Sequence, residues 1–206
     1  MLDRFKGFWQ GVILAPFVRL LVRMGVSPDT VTLVGTLGVA AAALIFYPTG
    51  HLLAGTVFIT CFVFSDLIDG QMARSTGKSS LFGSFWDSTL DRIGDGAVFG
   101  GLALYFAGPG DNYLYLCLSL YCLVMGAVTS YARAKAESLG LDAKGGLAER
   151  ADRLVLILVA TGLGAIFGLP WLMFAALWIL AFANSYTVVF RIRKVYGQAK
   201  GRPLPG

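Results

Sequence analysis

Apolar residues fall into six long blocks along this chain, each near the roughly 20 residues that a helix needs to cross a bilayer. The first runs from about Thr30 to Tyr47 and the second from Leu52 toward Asp69. The third covers Leu81 to Ala107, the fourth Tyr113 to Ala136, the fifth Ala151 to Phe167 and the sixth Trp171 to Phe190. Helix breakers and polar residues separate them in the runs YPTGH, STGKS, GPGDN, SLGLDAKGG and FGLP. The pattern predicts an all-α integral membrane protein with six transmembrane helices. No internal repeat or low-complexity tract divides it, so residues 1–206 read as one membrane domain with 195–206 as a C-terminal tail.

Residues 1–25 depart from the block pattern. Arg4, Lys6, Arg19 and Arg23 are interleaved there with Phe5, Phe8, Trp9, Val12 and Ile13, and Pro16 interrupts the run. Such a stretch is a poor signal-peptide core and predicts an amphipathic helix lying in the membrane interface. The front of an ordinary span is the plainer alternative.

Composition agrees with the pattern. Charged residues make up 14% of the chain and apolar ones 56%, whereas soluble domains carry about a quarter charged. Cys61, Cys117 and Cys122 are odd in number and lie in apolar runs, which predicts free thiols. His51, the single histidine, has no second ligand at metal-binding spacing and reads as a loop residue.

Charge then sets orientation. Every lysine and arginine lies in the N-terminal segment, around the second-to-third turn, around the fourth-to-fifth loop or after the sixth block; YPTGH, GPGDN and FGLP hold none. The positive-inside rule makes the basic side cytoplasmic, with both termini on it, in a cell membrane. The net charge of +5 therefore describes one face, suited to anionic headgroups and phosphates. No nucleic-acid-binding motif accompanies it, so nucleic acid is not expected as a partner.

Against this background the stretch DLIDGQMARSTGKSSLFGSFWDSTLD is anomalous, because it places four aspartates at the cytoplasmic ends of two apolar blocks. Asp66 and Asp69 are three apart and Asp87 and Asp91 four apart, so each pair shares one helix face. A short turn makes the two helices antiparallel neighbours, and the carboxylates can converge. Uncompensated, they would suffer repulsion and desolvation. Oxygen donors without sulfur or imidazole select hard cations such as Mg²⁺, with Mn²⁺ possible, and two divalent ions would balance four carboxylates. The bland alternative pairs the aspartates with Arg74, Lys78 and Arg92. Gly70, Ala73 and Gly83 leave room for a bulky ligand or a second backbone, and Arg74 offers a planar fork that fits a diphosphate. Asp95 continues the fourfold series deeper into the bilayer and reads as a structural hydrogen-bond partner. SPDT reads first as a helix start, with Pro28 in the first turn.

The ordered set Asp66, Asp69, Gly70, Ala73, Arg74, Gly83, Asp87 and Asp91, at these spacings, resembles the signature of the CDP-alcohol phosphotransferases. The resemblance implies that Asp66, Asp69 and Asp87 hold two metal ions, with Asp91 both a metal ligand and the general base. Gly70, Ala73, Arg74, Ser80 and Gly83 would lie against the CDP-diacylglycerol, and Asp29, Thr30, Val31 and Thr32 against its nucleotide. A homodimer is implied as well. The stretches SYARAKAESLGL and GGLAERADRL are similar to one branch of the family, the actinobacterial synthases that use CDP-diacylglycerol and inositol 3-phosphate. On that likeness Ser130, Arg133, Lys135, Arg153 and Arg191 would hold the acceptor phosphate. Two alternatives stand beside this. One is a sibling enzyme using glycerol 3-phosphate to make phosphatidylglycerol phosphate. The other is a cation transporter, although a transport path should carry polar residues through the whole bilayer.

Overall fold

The computed structural model describes residues 15–63, 68, 70–72, 80–147 and 149–200, with side chains from residue 18. Asp66, Asp69, Ala73 and Arg74, four of the positions that carry the family resemblance, lie outside the described residues, as does most of the 1–25 segment. Among the described residues the chain is helical and holds no strand. The helices are α1 (Ala15–Arg23), α2 (Pro28–Phe46), α3 (Leu52–Val63), α4 (Leu81–Ala107), α5 (Tyr113–Ser138), α6 (Arg150–Phe167) and α7 (Trp171–Ala199). Ile68 and residues 70–72 are helical too.

Polar residues at block edges start these helices by capping N–H groups that have no intrahelical partner. Ser27 Oγ accepts from the Thr30 N–H at 3.2 Å, and Pro28 occupies the first turn of α2, where its missing donor costs nothing. Ser80 Oγ accepts from the Gly83 N–H at 2.9 Å, and Asn112 Oδ1 from the Tyr115 N–H at 3.3 Å. Glu149 and Asp152 form a reciprocal capping box at the head of α6. Gly168, left-handed at φ 65°, ends that helix.

The α7 helix runs to Ala199, past the Phe190 at which the apolar block ends, and takes in residues 195–199 of the stretch read as tail. Hydropathy marks where lipid contact stops. The polar continuation RIRKVYGQA still has good helix formers and no breaker until Lys200, so the helix outlasts the span.

Six helices close a ring in the order α2, α4, α5, α7, α6, α3 and back to α2. Its interior is filled by Ala43, Tyr47, Ile59, Val98, Phe99, Leu102, Phe106, Ile157 and Leu177, all essentially buried. Large apolar side chains also point outward, among them Leu37, Ile45, Val57, Val159 and Phe182, as a lipid-facing surface requires. Three helices, α2, α5 and α7, are long and apolar enough to cross a membrane. The α4 and α6 helices carry acids and arginines toward one end, and α3 has 12 described residues.

Close packing of α2 on α4 depends on one glycine. A Cβ on Gly101 would lie 2.6 Å from the Ala43 carbonyl oxygen, a backbone atom that cannot move aside, whereas a Cβ on neighbouring Gly100 would meet nothing within 4 Å. Gly101→Ala is therefore expected to destabilise the protein by about 1–3 kcal/mol through overpacking. Gly100→Ala should leave it unchanged or slightly more stable, by up to about 1 kcal/mol. Thermal melting of both variants in detergent checks the contrast.

Candidate active site at the charged end of the bundle

Alternation of direction brings the starts of α2, α4 and α6 and the ends of α5 and α7 to one end of the ring. The α4 helix descends from that end carrying Asp87, Asp91 and Asp95 one turn apart on a single stripe. Asp87 is exposed, Asp91 half-buried and Asp95 buried. Arginines from α6 meet this stripe. Arg150 Nη1 lies 2.7 Å from Asp91 Oδ1, and its Nε lies 3.3 Å from Asp95 Oδ1. Arg153 donates from Nη2 to Asp95 Oδ2 at 3.0 Å with only 1% of its side chain exposed. Arg92 Nη2 sits 3.5 Å from Asp91 Oδ2. The structural-partner reading of Asp95 thus agrees with its contacts. Gly126 on α5 gives Arg153 its space, since a Cβ there would be 3.3 Å from the guanidinium Nε.

Arg191, on α7, donates from Nη1 to the Thr129 carbonyl at 2.6 Å and from Nε to the Gly145 carbonyl at 3.2 Å. It thereby ties the loop between α5 and α6 to both long helices. The loop needs its glycines: Gly146 has φ +118°, and a Cβ there would collide with Thr187. Thr187 Oγ1 in turn accepts from the Leu147 N–H at 3.0 Å. Further out, Lys194 Nζ lies 2.8 Å from Asp142 Oδ2, and that ammonium with the Lys144 N–H holds the Asp142 carboxyl below its usual range.

These side chains surround a polar cavity of about 410 Å³. Arginines from four helices line it, namely Arg92, Arg133, Arg150, Arg153 and Arg191, together with Asp91, Ser130, Glu137 and Glu149. Arg133 is offset by its own neighbour, with Nε 3.0 Å from Glu137 Oε1. A second, apolar groove of about 740 Å³ runs between α3 and α6, past Leu53, Val57, Cys61, Leu154, Leu158 and Ile166. Arg150 and Ala151 border both spaces.

The heads of α2 and α4 form a third feature. Trp86 Nε1 donates to the Asp29 carbonyl at 3.2 Å, and a Cβ on Gly83 would lie 3.2 Å from Ser80 Oγ and 3.4 Å from Asp29 Oδ1. Asp29, Ser80 and Gly83 therefore sit together beside two helix N-termini. Thr30 and Thr32 use their hydroxyls locally, on Ser27 Oγ at 2.8 Å and on the Pro28 carbonyl at 3.1 Å, and Val31 is half-buried. Gly70 lies in a helical turn.

Of the acceptor residues expected from sequence, Ser130, Arg133, Arg153 and Arg191 line one cavity; Lys135 is exposed on α5 and is not part of that lining. Of the metal set, Asp87 and Asp91 are described, and no group of three or more His, Cys, Asp or Glu occurs among the described residues. Their chemistry fits a divalent cation: two hard oxygen donors share one face, and a carboxylate that pairs with arginine keeps lone pairs for a metal. Sequence reasoning did not assign Arg150, Arg92, Thr129, Ser84, Ser88, Glu137 or Glu149 to the site. Arg150 was legible in principle, three residues before Arg153 on the same helical face.

The chain matches a family model described as CDP-alcohol phosphatidyltransferase over residues 25–190. It is 51% identical over 198 residues to a phosphatidylinositol phosphate synthase of Streptomyces avermitilis, covering 93% of this chain and 81% of that one. It is 49% identical to the protein of the same description from Cutibacterium acnes, covering 93% and 96%. The fold is similar to a Mycobacterium tuberculosis phosphatidylinositol phosphate synthase solved with CDP-DAG bound, with TM-score 0.85, 39% identity and coverage of 89% of this chain and 94% of that one. A structure of that protein with manganese and citrate gives TM-score 0.84 at 39% identity, covering 89% of each chain.

Removing the Asp95 carboxylate would strand the buried Arg153 guanidinium. Asp95→Ala is expected to cost about 3–5 kcal/mol of stability, and Asp95→Asn less, because the amide oxygen still accepts from Arg153. Chemical denaturation of the two variants in detergent would show the order, and equal stability would refute it.

Proposed function

The chain belongs to the CDP-alcohol phosphatidyltransferase family, and from that premise we propose that it is a phosphatidylinositol phosphate synthase. It transfers the phosphatidyl group of CDP-diacylglycerol to 1D-myo-inositol 3-phosphate and releases CMP. The observation that carries the choice of acceptor is the cavity beside Asp91, into which four helices bring arginines. A neutral alcohol would leave that positive field without a counter-charge, whereas a phosphomonoester dianion matches it.

In this reading the acceptor phosphate is held by Arg153, Arg191, Ser130 and Arg133, with Lys135 at the cavity's margin. The acceptor hydroxyl faces Asp91, which takes its proton. The oxygen attacks the phosphorus that bears diacylglycerol, and the bond to the CMP oxygen breaks with its electron pair leaving on CMP. Asp29, Thr30, Val31, Thr32, Gly70, Ala73, Arg74, Ser80 and Gly83 hold the CDP moiety. The helix N-termini behind Asp29 and Ser80 favour the negative diphosphate. The apolar groove between α3 and α6 takes an acyl chain. Most of the acceleration comes from positioning and charge stabilisation.

Asp66, Asp69, Asp87 and Asp91 would hold two divalent ions, Mg²⁺ or Mn²⁺. When bound, such ions neutralise phosphoryl oxygens and lower the barrier to displacement. The reading further takes the whole of 1–206 as one domain of six spans in the cell membrane, with residues 1–25 in the interface, both termini and the site cytoplasmic, and two copies forming a homodimer.

The test is CMP release from CDP-diacylglycerol by purified protein, with inositol 3-phosphate, free inositol or glycerol 3-phosphate as acceptor, each with Mg²⁺ or a chelator. Release is expected with inositol 3-phosphate alone and only with metal. Turnover with glycerol 3-phosphate instead would keep the reaction and discard the acceptor.

A further inference from the structure

We propose that Arg150 is a further catalytic residue, whose guanidinium donates to the non-bridging oxygens of the phosphoryl group in flight. The inference rests on the phosphatidyltransferase reading above. Its first support is position. The reacting phosphorus has its diacylglycerol ester on one side and the incoming hydroxyl on the other, so it must lie where the apolar groove meets the polar cavity. Arg150 and Ala151 are the residues that border both, and of these only Arg150 has a polar side chain.

Orientation is the second support. Arg150 Nη1 lies 2.7 Å from Asp91 Oδ1. A carboxylate that takes the acceptor proton stands within hydrogen-bond reach of the attacking oxygen. A donor seated on that carboxylate is therefore one oxygen away from the bond being made. The Nε contact to Asp95 Oδ1 at 3.3 Å anchors the head from below and leaves the Nη2 donors for a ligand. The other arginines are placed differently. Arg153 is almost wholly buried, Arg191 gives Nε and Nη1 to two carbonyls, and Arg133 pairs with Glu137. Arg150 keeps 27% of its side chain accessible at the junction.

The chemistry needs such a donor. As the acceptor oxygen bonds to phosphorus and the bond to CMP breaks, charge spreads over the phosphoryl oxygens while the acceptor proton passes to Asp91. A planar guanidinium can serve two of those oxygens at once, and it does so most strongly in the transition state.

Arg150→Gln and Arg150→Lys in the full-length chain test this, assayed in mixed micelles of detergent and CDP-diacylglycerol with Mn²⁺ affinity followed by electron paramagnetic resonance. Arg150→Gln is expected to lower kcat by about 10²–10³-fold, with both KM values within about threefold of the parent. Mn²⁺ affinity should hold or tighten, since a cation beside Asp91 has gone. Arg150→Lys keeps the charge but loses the fork, and should retain about tenfold more kcat than the glutamine variant; it also covers the case in which Arg150→Gln does not fold. A loss confined to the KM for inositol 3-phosphate would make Arg150 one more acceptor cation and overturn the proposal. A loss of kcat together with weakened Mn²⁺ binding would overturn it too, reducing Arg150 to a positioning residue for Asp91. A parent protein without metal-dependent CMP release would overturn the functional reading itself. An active parent matched by an equally active Arg150→Gln would overturn this inference alone.

Discussion

Two guanidinium groups held between carboxylates at the edge of an apolar bundle organise the rest of this structure. Arg150 and Arg153 of α6 meet Asp91 and Asp95 of α4. These helices are not neighbours in the ring, so the ion pairs reach across its middle and not along a shared face. Burying such charges is costly, and in water a well-packed apolar substitute often does as well. Here the pairs do something an apolar contact could not. They carry polar chemistry part of the way into the bundle and fix its depth, with Asp95 buried, Asp91 half-buried and Asp87 exposed on successive turns. The cavity forms where this gradient meets solvent.

The same economy recurs at Arg191. One side chain caps the Thr129 carbonyl of α5 and the Gly145 carbonyl of the following loop, and still borders the cavity. A residue expected only to hold phosphate is thus also the fastener of the α5–α6 loop. With Nε and Nη1 already used, its remaining donors have a fixed direction. Pre-ordering of this kind lowers the entropy lost when an anion is gripped. It also makes the loop glycines, above all left-handed Gly146 against Thr187, part of the site's construction.

Much of this was legible in the sequence, for identifiable reasons. The apolar blocks located α2 to α7 because lipid-facing and core-facing positions are both hydrophobic, and the breakers between them carry the caps seen at Ser27, Ser80 and Asn112. Aspartates at fourfold spacing announced one stripe on α4. The end of α7 was not legible from hydropathy, since helix formation continues after lipid contact stops. The Arg150 contacts were hidden for a different reason. Basic residues at this end of a membrane helix are expected from topology alone, so nothing local separates an arginine that faces headgroups from one that crosses the ring to Asp91. Lys135 shows the reverse: the motif placed it beside the acceptor residues, and helical geometry turns it outward.

The location of the site follows from a solubility conflict between the two substrates of the proposed reaction. A diacylglycerol ester cannot leave the bilayer, and a phosphorylated polyol cannot enter it. Only a boundary with an apolar channel on one side and a cationic chamber on the other lets their reactive atoms touch. The groove between α3 and α6 and the arginine-lined cavity have these characters and share the edge formed by Arg150 and Ala151. Ala151 matters here by being small, because a longer side chain at that edge would wall one space from the other. The short α6 head, begun by its Glu149–Asp152 capping box, sets where that edge falls and so where the two phases can exchange a phosphoryl group.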